Sequence, residues 1–250
     1  MTDALMQTTD TVMGGRVILR QPADGYRVAV DPILLAAACP ARAGETIADL
    51  GCGIGTAALC VATRVPGVQC IGIDLQPALI DLARQNASAN SLQDRAQFLR
   101  GDILDPALSL YAAPADQVIV NPPYLARGHA TVSENPIKAL ANVEGDADLE
   151  AWVKAAARAV KPDGRVTFIH RADRLPQLLA AFAAQFGGVV TLPLHPKEQA
   201  PAHRVIVSGR LGQRGPAILL PGLILHQANG AFTAAAQRIL RDGMPLPLIP

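Results

Sequence analysis

From residue 46 onwards, short apolar runs alternate with longer alanine-rich stretches whose apolar positions recur at helical spacing. Short apolar runs are typical of buried strands, and the longer periodic stretches are typical of helices packed on a sheet. This alternation predicts a parallel sheet with crossover helices, which is an α/β fold. The predicted strands are 46–50, 68–73, 96–99, 117–120, 165–170, 189–194 and 205–209, and the predicted helices are 56–64, 77–90, 149–160 and 174–186.

The amino-terminal part departs from this alternation. Residues 17–20 and 26–29 are apolar segments that flank a Pro-Ala-Asp-Gly turn, and they predict a small hairpin. Asp31 followed by Pro32 predicts the N-cap and the first turn of a helix that continues over residues 33–38. We therefore expect a hairpin and a helix to precede the main sheet.

The carboxy-terminal part also departs from the alternation. Near residue 200 the last two predicted strands follow each other without an intervening helix, which predicts an antiparallel hairpin at the edge of a seven-stranded sheet. A short helix is predicted over residues 233–241. The chain has the length of one domain. Its expected segments are 1–45 before the core, 46–212 as the core and 213–250 as a carboxy-terminal appendage.

The composition is that of a soluble protein without a metal site. Half of the residues are apolar and 17% are charged, and no apolar run is long enough to cross a membrane. The amino terminus lacks the basic start and apolar block of a secretory signal, which favours a cytoplasmic location. The four cysteines and five histidines are not spaced like metal ligands, so we expect neither a metal ion nor a disulfide framework.

The net charge of +1 hides a division along the chain. Residues 1–150 carry 10 basic and 17 acidic side chains, whereas residues 151–250 carry 12 basic and 4 acidic side chains. A basic surface is typical of proteins that bind a polyanion, because phosphate contacts supply most of the affinity for nucleic acids. Ordinary solvated helix ends would give the same counts, and both interpretations stay open.

A glycine-rich loop joins the first predicted strand of the sheet to the following helix. Its sequence, Asp-Leu-Gly-Cys-Gly-Ile-Gly, places Asp49 ahead of Gly51, Gly53 and Gly55. Glycines let a ligand approach the backbone closely, and a helix start offers free N–H groups. The spacing differs from the G-x-G-x-x-G of dinucleotide-binding folds. The loop indicates a nucleotide-type ligand, and a tight turn without a ligand is the alternative.

Two further acidic residues follow the next strands. Asp74 comes about 20 residues after the glycines, where a carboxylate can accept hydrogen bonds from both hydroxyls of a ribose. Taken alone, Asp74 could equally cap a helix. Asp102 follows the third strand. Because parallel strands end at the same edge of a sheet, we expect these acids and the adjacent Leu75 and Ile103 to line one nucleoside-binding pocket.

The fourth strand is followed by Asn121, Pro122, Pro123 and Tyr124. An amine conjugated to an aromatic ring, or a carboxamide, is a poor nucleophile because its lone pair is delocalised. The oxygens of Asn121 and of the Pro122 backbone can accept both amine hydrogens and direct the nitrogen lone pair at an electrophile. Tyr124 can stack on the planar substrate. A proline-rich turn without a catalytic role is the alternative interpretation.

These motifs together resemble the class I S-adenosylmethionine-dependent methyltransferases of the amino-methylating branch, over about residues 46–210. The resemblance implies a Rossmann-like fold and S-adenosylmethionine as the cofactor. It also implies that Asp49 and the glycine backbone bind the methionine part of the cofactor, Asp74 its ribose and Asp102 its adenine. Asn121, Pro122, Pro123 and Tyr124 would bind the target amine, and Asn121 would also contact the cofactor.

The outer segments resemble those of the bacterial valine-tRNA adenine-N6 methyltransferases, which extends the resemblance over nearly the whole chain. They are Gly25-Tyr26-Arg27, Asp31-Pro32-Ile33-Leu34-Leu35, Ala202-His203-Arg204-Val205, and Leu225-His226 leading to Phe232-Thr233. The resemblance implies that the substrate is an adenine beside the anticodon of a tRNA. The basic carboxy-terminal part would suit that partner.

Four residues in these segments are candidate substrate contacts. His203 and Arg204 could bind phosphate or could be an ordinary surface pair at the start of a strand. Tyr26 and Arg27 could close over the cofactor or could stabilise the hairpin.

Several other functions remain open. A protein glutamine methyltransferase would use the same Asn-Pro-Pro-Tyr chemistry, but such enzymes carry a helical substrate-binding region, and only about 45 residues precede the first core strand here. A DNA adenine methyltransferase would need a segment that reads base sequence. A small-molecule N-methyltransferase and a non-catalytic module that binds S-adenosylmethionine or RNA are the remaining alternatives.

Overall fold

The computed structural model describes residues 7–23, 30–124 and 148–248. The strands are β1 Gln7–Val12, β2 Val17–Pro22, β3 Thr46–Leu50, β4 Gln69–Asp74, β5 Ala96–Arg100, β6 Ala115–Val120, β7 Val160–Arg171, β8 Phe186–Lys197, β9 Arg204–Leu211, β10 Ile218–Leu219 and β11 Leu223–His226. The helices are α1 Asp31–Ala38, α2 Thr56–Arg64, α3 Pro77–Ala89, α4 Ser109–Ala112, α5 Leu149–Ala159, α6 Leu175–Ala183 and α7 Ala234–Leu240.

The main sheet contains all seven predicted strands. Its order is β10-β8-β9-β7-β6-β3-β4-β5, with β11 also paired to β8. Strands β3 to β7 are parallel, whereas β9 is antiparallel to β7 and β8. The α/β fold and the antiparallel hairpin near the sheet edge are therefore confirmed.

Two short strands that were not predicted bring the sheet to nine strands within the described part of the chain. Both β10 and β11 pair in parallel with the outer strand β8. They belong to the segment expected to be an appendage. Strand β10 has two residues, and a Pro-Gly pair separates it from β11, so neither shows the alternation by which longer strands are recognised.

The predicted strand 17–20 is part of an amino-terminal hairpin, in which it is the second strand. Strand β2 pairs with β1 in antiparallel register, from Val12 opposite Val17 to Gln7 opposite Pro22. The predicted partner, residues 26–29, lies outside the described residues. Strand β1 reads as polar because five of its six residues are Gln, Thr or Asp, but β-branched threonine suits a strand with one solvated face.

Asparagine side chains attach this hairpin to α3. Asn90 accepts a hydrogen bond from the Ile18 N–H at 2.8 Å and donates to the Ile18 carbonyl at 2.7 Å. Asn86 makes the same pair of hydrogen bonds to Arg20, at 2.7 and 3.1 Å, and also donates to the Ile54 carbonyl at 3.1 Å. Side-chain amides thus satisfy backbone groups of β2 as a neighbouring strand would, and Asn86 also connects the hairpin to the glycine loop.

Two apolar cores cover the two faces of the sheet. One contains side chains from α1, α2, α3 and α7, and the other contains side chains from α5 and α6. Alternate strand residues face opposite cores: Ile47 and Ile119 face the first, whereas Ala48 and Val118 face the second. All four cysteines are buried, with free thiols, as expected for core residues. None of the described helices is long and apolar enough to cross a membrane.

Candidate functional site

The carboxyl edge of the sheet brings the predicted site residues together. Asp49 lies near the end of β3, Asp74 is the last residue of β4, Asp102 follows β5 and Asn121 follows β6. These four strands are parallel neighbours, so their carboxyl ends share one edge. The parallel topology is therefore what places the glycine loop next to the Asn-Pro-Pro-Tyr turn.

The three glycines of the loop all have left-handed backbone angles, with φ of 71° at Gly51, 54° at Gly53 and 84° at Gly55. A Cβ atom at Gly51 would lie 2.8 Å from the Trp152 ring, and one at Gly55 would lie 2.6 Å from the Phe98 ring. A Cβ atom at Gly53 would meet nothing within 4 Å. Packing therefore fills the space beside Gly51 and Gly55, and the face of Gly53 is where a ligand can approach the loop.

The Asp74 carboxylate joins the glycine loop to the start of α3. One oxygen accepts the Gly53 N–H and the other accepts the Gln76 N–H, both at 2.9 Å. Each carboxylate oxygen retains a further lone pair, so ribose hydroxyls can still donate to it. Burial raises the pKa of Asp74. The next side chain, Leu75, is 53% exposed and offers an apolar surface beside the carboxylate.

Asp49 is 2% exposed and sits beneath the start of α2. Its carboxylate accepts the Ala58 N–H at 3.2 Å, so it satisfies one of the free donors of the helix. Burial raises the pKa of Asp49 to about 7, with Asp74 adding to the effect. Without a ligand, the Asp49 carboxyl is therefore only partly ionised near pH 7. A cationic ligand group nearby would favour its ionised form.

Asp102 and Ile103 have different surroundings. The exposed Asp102 accepts the Leu104 N–H at 2.8 Å, which shapes the loop after β5. The Ile103 side chain is 7% exposed and packs in the core with α5, while its carbonyl accepts the Tyr111 hydroxyl at 2.6 Å. Of the two side chains, only that of Asp102 is accessible to a ligand.

Tyr124 of the Asn-Pro-Pro-Tyr turn contacts residues that are distant in the sequence. The Tyr124 hydroxyl lies 2.5 Å from Asn121 Oδ1 and 2.8 Å from Asp31 Oδ2. Arg204 Nε donates to the same Asp31 oxygen at 2.8 Å, and the Arg204 guanidinium lies 4.6 Å from the centre of the Tyr124 ring. A buried carboxylate and an arginine thus flank the tyrosine, next to the predicted amine site.

The prediction that Asp31 caps α1 is wrong. Val30 occupies the N-cap position, and Asp31 is the first helical residue, with no side-chain capping bond. Its carboxylate instead accepts from Tyr124 and Arg204. Charge-assisted hydrogen bonds of this kind outweigh the roughly 1 kcal/mol of an N-cap. The role of Asp31 was missed because Asp-Pro is also the sequence of an ordinary helix start.

Arg204 was a candidate phosphate contact, but its guanidinium forms an ion pair with Asp31 and lies over the Tyr124 ring. His203 is exposed, and its carbonyl accepts the Ala172 N–H at 3.1 Å. Tyr26 and Arg27 lie outside the described residues. Among the four candidates, therefore, Arg204 lies beside Tyr124 of the predicted amine site.

His170 forms part of the wall behind Tyr124. The two rings meet edge to face, with centres 5.5 Å apart. Neither ring nitrogen of His170 has a hydrogen-bond partner within the described part of the chain. Burial, together with the positive charge of Arg174, lowers the pKa of His170 to about 4. The imidazole is therefore neutral at physiological pH and adds no charge behind the tyrosine.

Several basic residues of the carboxy-terminal part form ion pairs within the described ranges. At the carboxyl edge, Arg171 pairs with Asp173, and Arg204 pairs with Asp31. Lys161 lies at the opposite edge, where it pairs with Asp116 at 2.7 Å. The uneven charge along the sequence is thus partly neutralised in space and does not by itself identify a polyanion site.

The chain is similar to known methyltransferases. Residues 29–192 match the family described as methyltransferase small domain. The chain is 30% identical to the tRNA1(Val) (adenine(37)-N6)-methyltransferase of Porphyromonas gingivalis, over 92% of this chain and 93% of that protein. It is 28% identical to the protein of the same name from Aeromonas salmonicida, over 83% of this chain and 85% of that protein.

A solved structure has a similar fold. It is a predicted O-methyltransferase, protein Atu636 from Agrobacterium tumefaciens, with a TM-score of 0.72 and 25% sequence identity. The similarity covers 87% of this chain and 98% of that one. The likeness therefore extends over most of the chain.

Proposed function

Since the chain belongs to the methyltransferase small domain family, and within it to the tRNA1(Val) (adenine(37)-N6)-methyltransferases, we propose that it methylates N6 of adenine 37 in valine tRNA. It is a methyltransferase with the class I fold, and its cofactor is S-adenosylmethionine. The observation that carries the choice of an amine is the position of Asn121 and Tyr124, in contact at the carboxyl end of β6. With tRNA as the substrate, we propose that the reaction takes place in the cytoplasm.

The described residues fit the proposed cofactor. The open face of Gly53 suits a ligand that approaches the backbone, and the free lone pairs of Asp74 suit ribose hydroxyls. The exposed Leu75 side chain suits the apolar face of an adenine, and the buried Asp49 suits a cationic amino group. When bound, S-adenosylmethionine supplies an electrophilic methyl group on a positively charged sulfur.

The residues after β6 would prepare the adenine. The Asn121 and Pro122 oxygens would accept the two hydrogens of the N6 amine and so localise the nitrogen lone pair for attack on the methyl group. The Arg204 guanidinium covers one face of the Tyr124 ring, so the adenine would stack on the other face. A base in a tRNA loop must leave its stack before it can reach this position.

Transfer of a labelled methyl group would test the proposal. Valine tRNA transcripts carrying A37, or G37 as the matched control, are incubated with the protein and labelled S-adenosylmethionine, and cell protein and metabolites are assayed in parallel. We expect N6-methyladenosine from the A37 transcript and no label in the G37 transcript. Label on a protein glutamine or on a metabolite, with none on tRNA, would instead assign the chain another substrate.

Cofactor affinity should depend on pH through Asp49. We propose that Asp49 pairs with the amino group of the cofactor as a carboxylate, and burial raises its pKa to about 7 in the free protein. Affinity should therefore fall about eightfold as the pH is lowered from about 7.5 to about 6, because the protonated form must first ionise. Isothermal titration calorimetry across this range measures the effect.

The matched control is Asp49→Asn, which retains an oxygen for the Ala58 N–H and cannot ionise. This variant should bind the cofactor more weakly near pH 7.5, with an affinity that changes little with pH. A wild-type affinity that is equally flat over the range would remove Asp49 from the cofactor site.

A further inference from the structure

The Tyr124 hydroxyl lies between two hydrogen-bond acceptors. Its oxygen is 2.5 Å from Asn121 Oδ1 and 2.8 Å from Asp31 Oδ2. A tyrosine hydroxyl carries one hydrogen, which can be donated fully to only one of them. Asp31 is 6% exposed, and Arg204 Nε donates to the same carboxylate oxygen at 2.8 Å.

The carboxylate is the stronger acceptor of the two. Hydrogen bonds to an ionised acceptor are about twice as strong as those between neutral groups. A carboxylate paired with a guanidinium has no hydrogen of its own to donate to the tyrosine. The Tyr124 hydrogen therefore belongs to Asp31, which leaves the phenol oxygen facing Asn121 as an acceptor.

The side-chain amide of Asn121 can either accept a hydrogen through its oxygen or donate one through its NH2 group. A half turn of the Asn121 amide exchanges its oxygen and its NH2 group with little movement of other atoms. After this turn, the NH2 group donates to the Tyr124 oxygen, and the carbonyl oxygen is released from the tyrosine. The contact of Tyr124 with Asp31 and its contact with Asn121 then each join one donor to one acceptor.

We propose that Asp31 is a positioning residue for the methylation of the amine. By taking the Tyr124 hydrogen, it holds Asn121 with the NH2 group on the tyrosine and the carbonyl oxygen free for the amine of the substrate. The inference rests on the proposed function, in which Asn121 accepts a hydrogen from that amine. If Asp31 did not take the hydrogen, the Asn121 oxygen would be occupied by the tyrosine.

The surroundings of Asp31 keep its carboxylate in this position. Asp31 is the first residue of α1, and Arg204 at the start of β9 pairs with it across 173 positions of sequence. Arg204 also lies over the ring of Tyr124, and the ring of the neutral His170 is nearly perpendicular to it at 5.5 Å. Three separate elements therefore hold the tyrosine hydroxyl against Asp31.

Kinetics of single and double variants would test the inference. Asp31→Asn and Tyr124→Phe should each lower the single-turnover rate of methyl transfer about tenfold or more, with the dissociation constant of S-adenosylmethionine and the KM for tRNA nearly unchanged. The double variant should be no slower than Tyr124→Phe, because Asp31 acts through the hydroxyl. Losses that multiply in the double variant, or an equal loss of cofactor binding, would overturn the inference.

A matched control is available at the same sheet edge. Asp173→Asn breaks the exposed ion pair with Arg171, which is not part of the proposed site. This variant should leave the methyl transfer rate unchanged. A loss equal to that of Asp31→Asn would mean that any carboxylate removed from this edge has the same effect, which contradicts a specific role for Asp31.

A second measurement does not require tRNA. In the wild-type protein with cofactor bound, one Asn121 NH2 hydrogen should be protected from exchange with water, as observed by nuclear magnetic resonance of the side-chain amide. The protection should disappear in Asp31→Asn and in Tyr124→Phe. A protected amide in a protein that does not methylate tRNA would overturn the proposed function alone, whereas an unprotected amide in an active enzyme would overturn the role of Asp31.

Discussion

Replacing Asn121 with alanine should lower the rate of methyl transfer by about 10²- to 10³-fold and change cofactor affinity by less than about twofold. The reason is that the Asn121 oxygen is proposed to accept a hydrogen of the target amine, whereas most residues proposed to bind the cofactor lie at the ends of β3 and β4 and after β5. Single-turnover kinetics and equilibrium cofactor binding on the same preparation measure both quantities.

The contact between Asn121 and Tyr124 makes a second variant informative. Tyr124→Phe retains the ring for stacking and removes the hydroxyl, so it should be impaired less than Asn121→Ala. If Asn121→Ala lost cofactor affinity by the same factor as its rate, the asparagine would belong to the cofactor site, and the proposed division of roles would be wrong.

The second large effect is expected at Asp74. Asp74→Ala should weaken S-adenosylmethionine binding by about 10- to 100-fold, because it removes the proposed acceptor for the ribose hydroxyls. With saturating cofactor, the single-turnover rate should recover to within a few-fold of the wild-type rate. Calorimetric titration and kinetics at increasing cofactor concentration separate the two effects.

Asp74 also has a structural role that a control must separate. The alanine variant loses the acceptors for the Gly53 and Gln76 N–H groups, so the free energy of unfolding should fall by about 1–3 kcal/mol. Asp74→Asn keeps an oxygen for one of these donors, so its free energy of unfolding should be higher than that of Asp74→Ala. If the asparagine variant is stable and binds the cofactor with wild-type affinity, the Asp74 charge has no part in binding.

A comparison of cofactor binding in Asp74→Ala and Asn121→Ala tests the roles proposed for both residues. The structure places Asp74 at the end of β4 and Asn121 after β6, with β3 between the two strands. Mutations at separate sites affect separate functions unless the sites share contacts. Equal losses of cofactor binding in Asp74→Ala and Asn121→Ala would therefore contradict the assignment of one residue to the cofactor and the other to the amine.

Much of the site was determined by the sequence. The glycine loop, Asp74 and the Asn-Pro-Pro-Tyr turn each follow a predicted strand, and the strands were recognised from short-range apolar runs. Helical crossovers between them predict parallel strands, whose carboxyl ends share one edge. The convergence of these loops therefore follows from local patterns, and the fold class predicted on this basis is confirmed. The cofactor that the family resemblance implied is confirmed as well.

Only the tertiary structure decided the other features. The partner of β2 proved to be β1, and the outer strands β10 and β11 were not apparent from periodicity. Asp31 does not cap α1 as expected, and its carboxylate instead accepts hydrogen bonds from Tyr124 and Arg204, which are 93 and 173 positions away. Local spacing determines which backbone conformation is favoured, but contacts across such distances depend on the packing of whole elements. For this reason the sequence predicted the residues that we propose face the ligands, whereas the contacts that orient those residues appeared only in the folded chain.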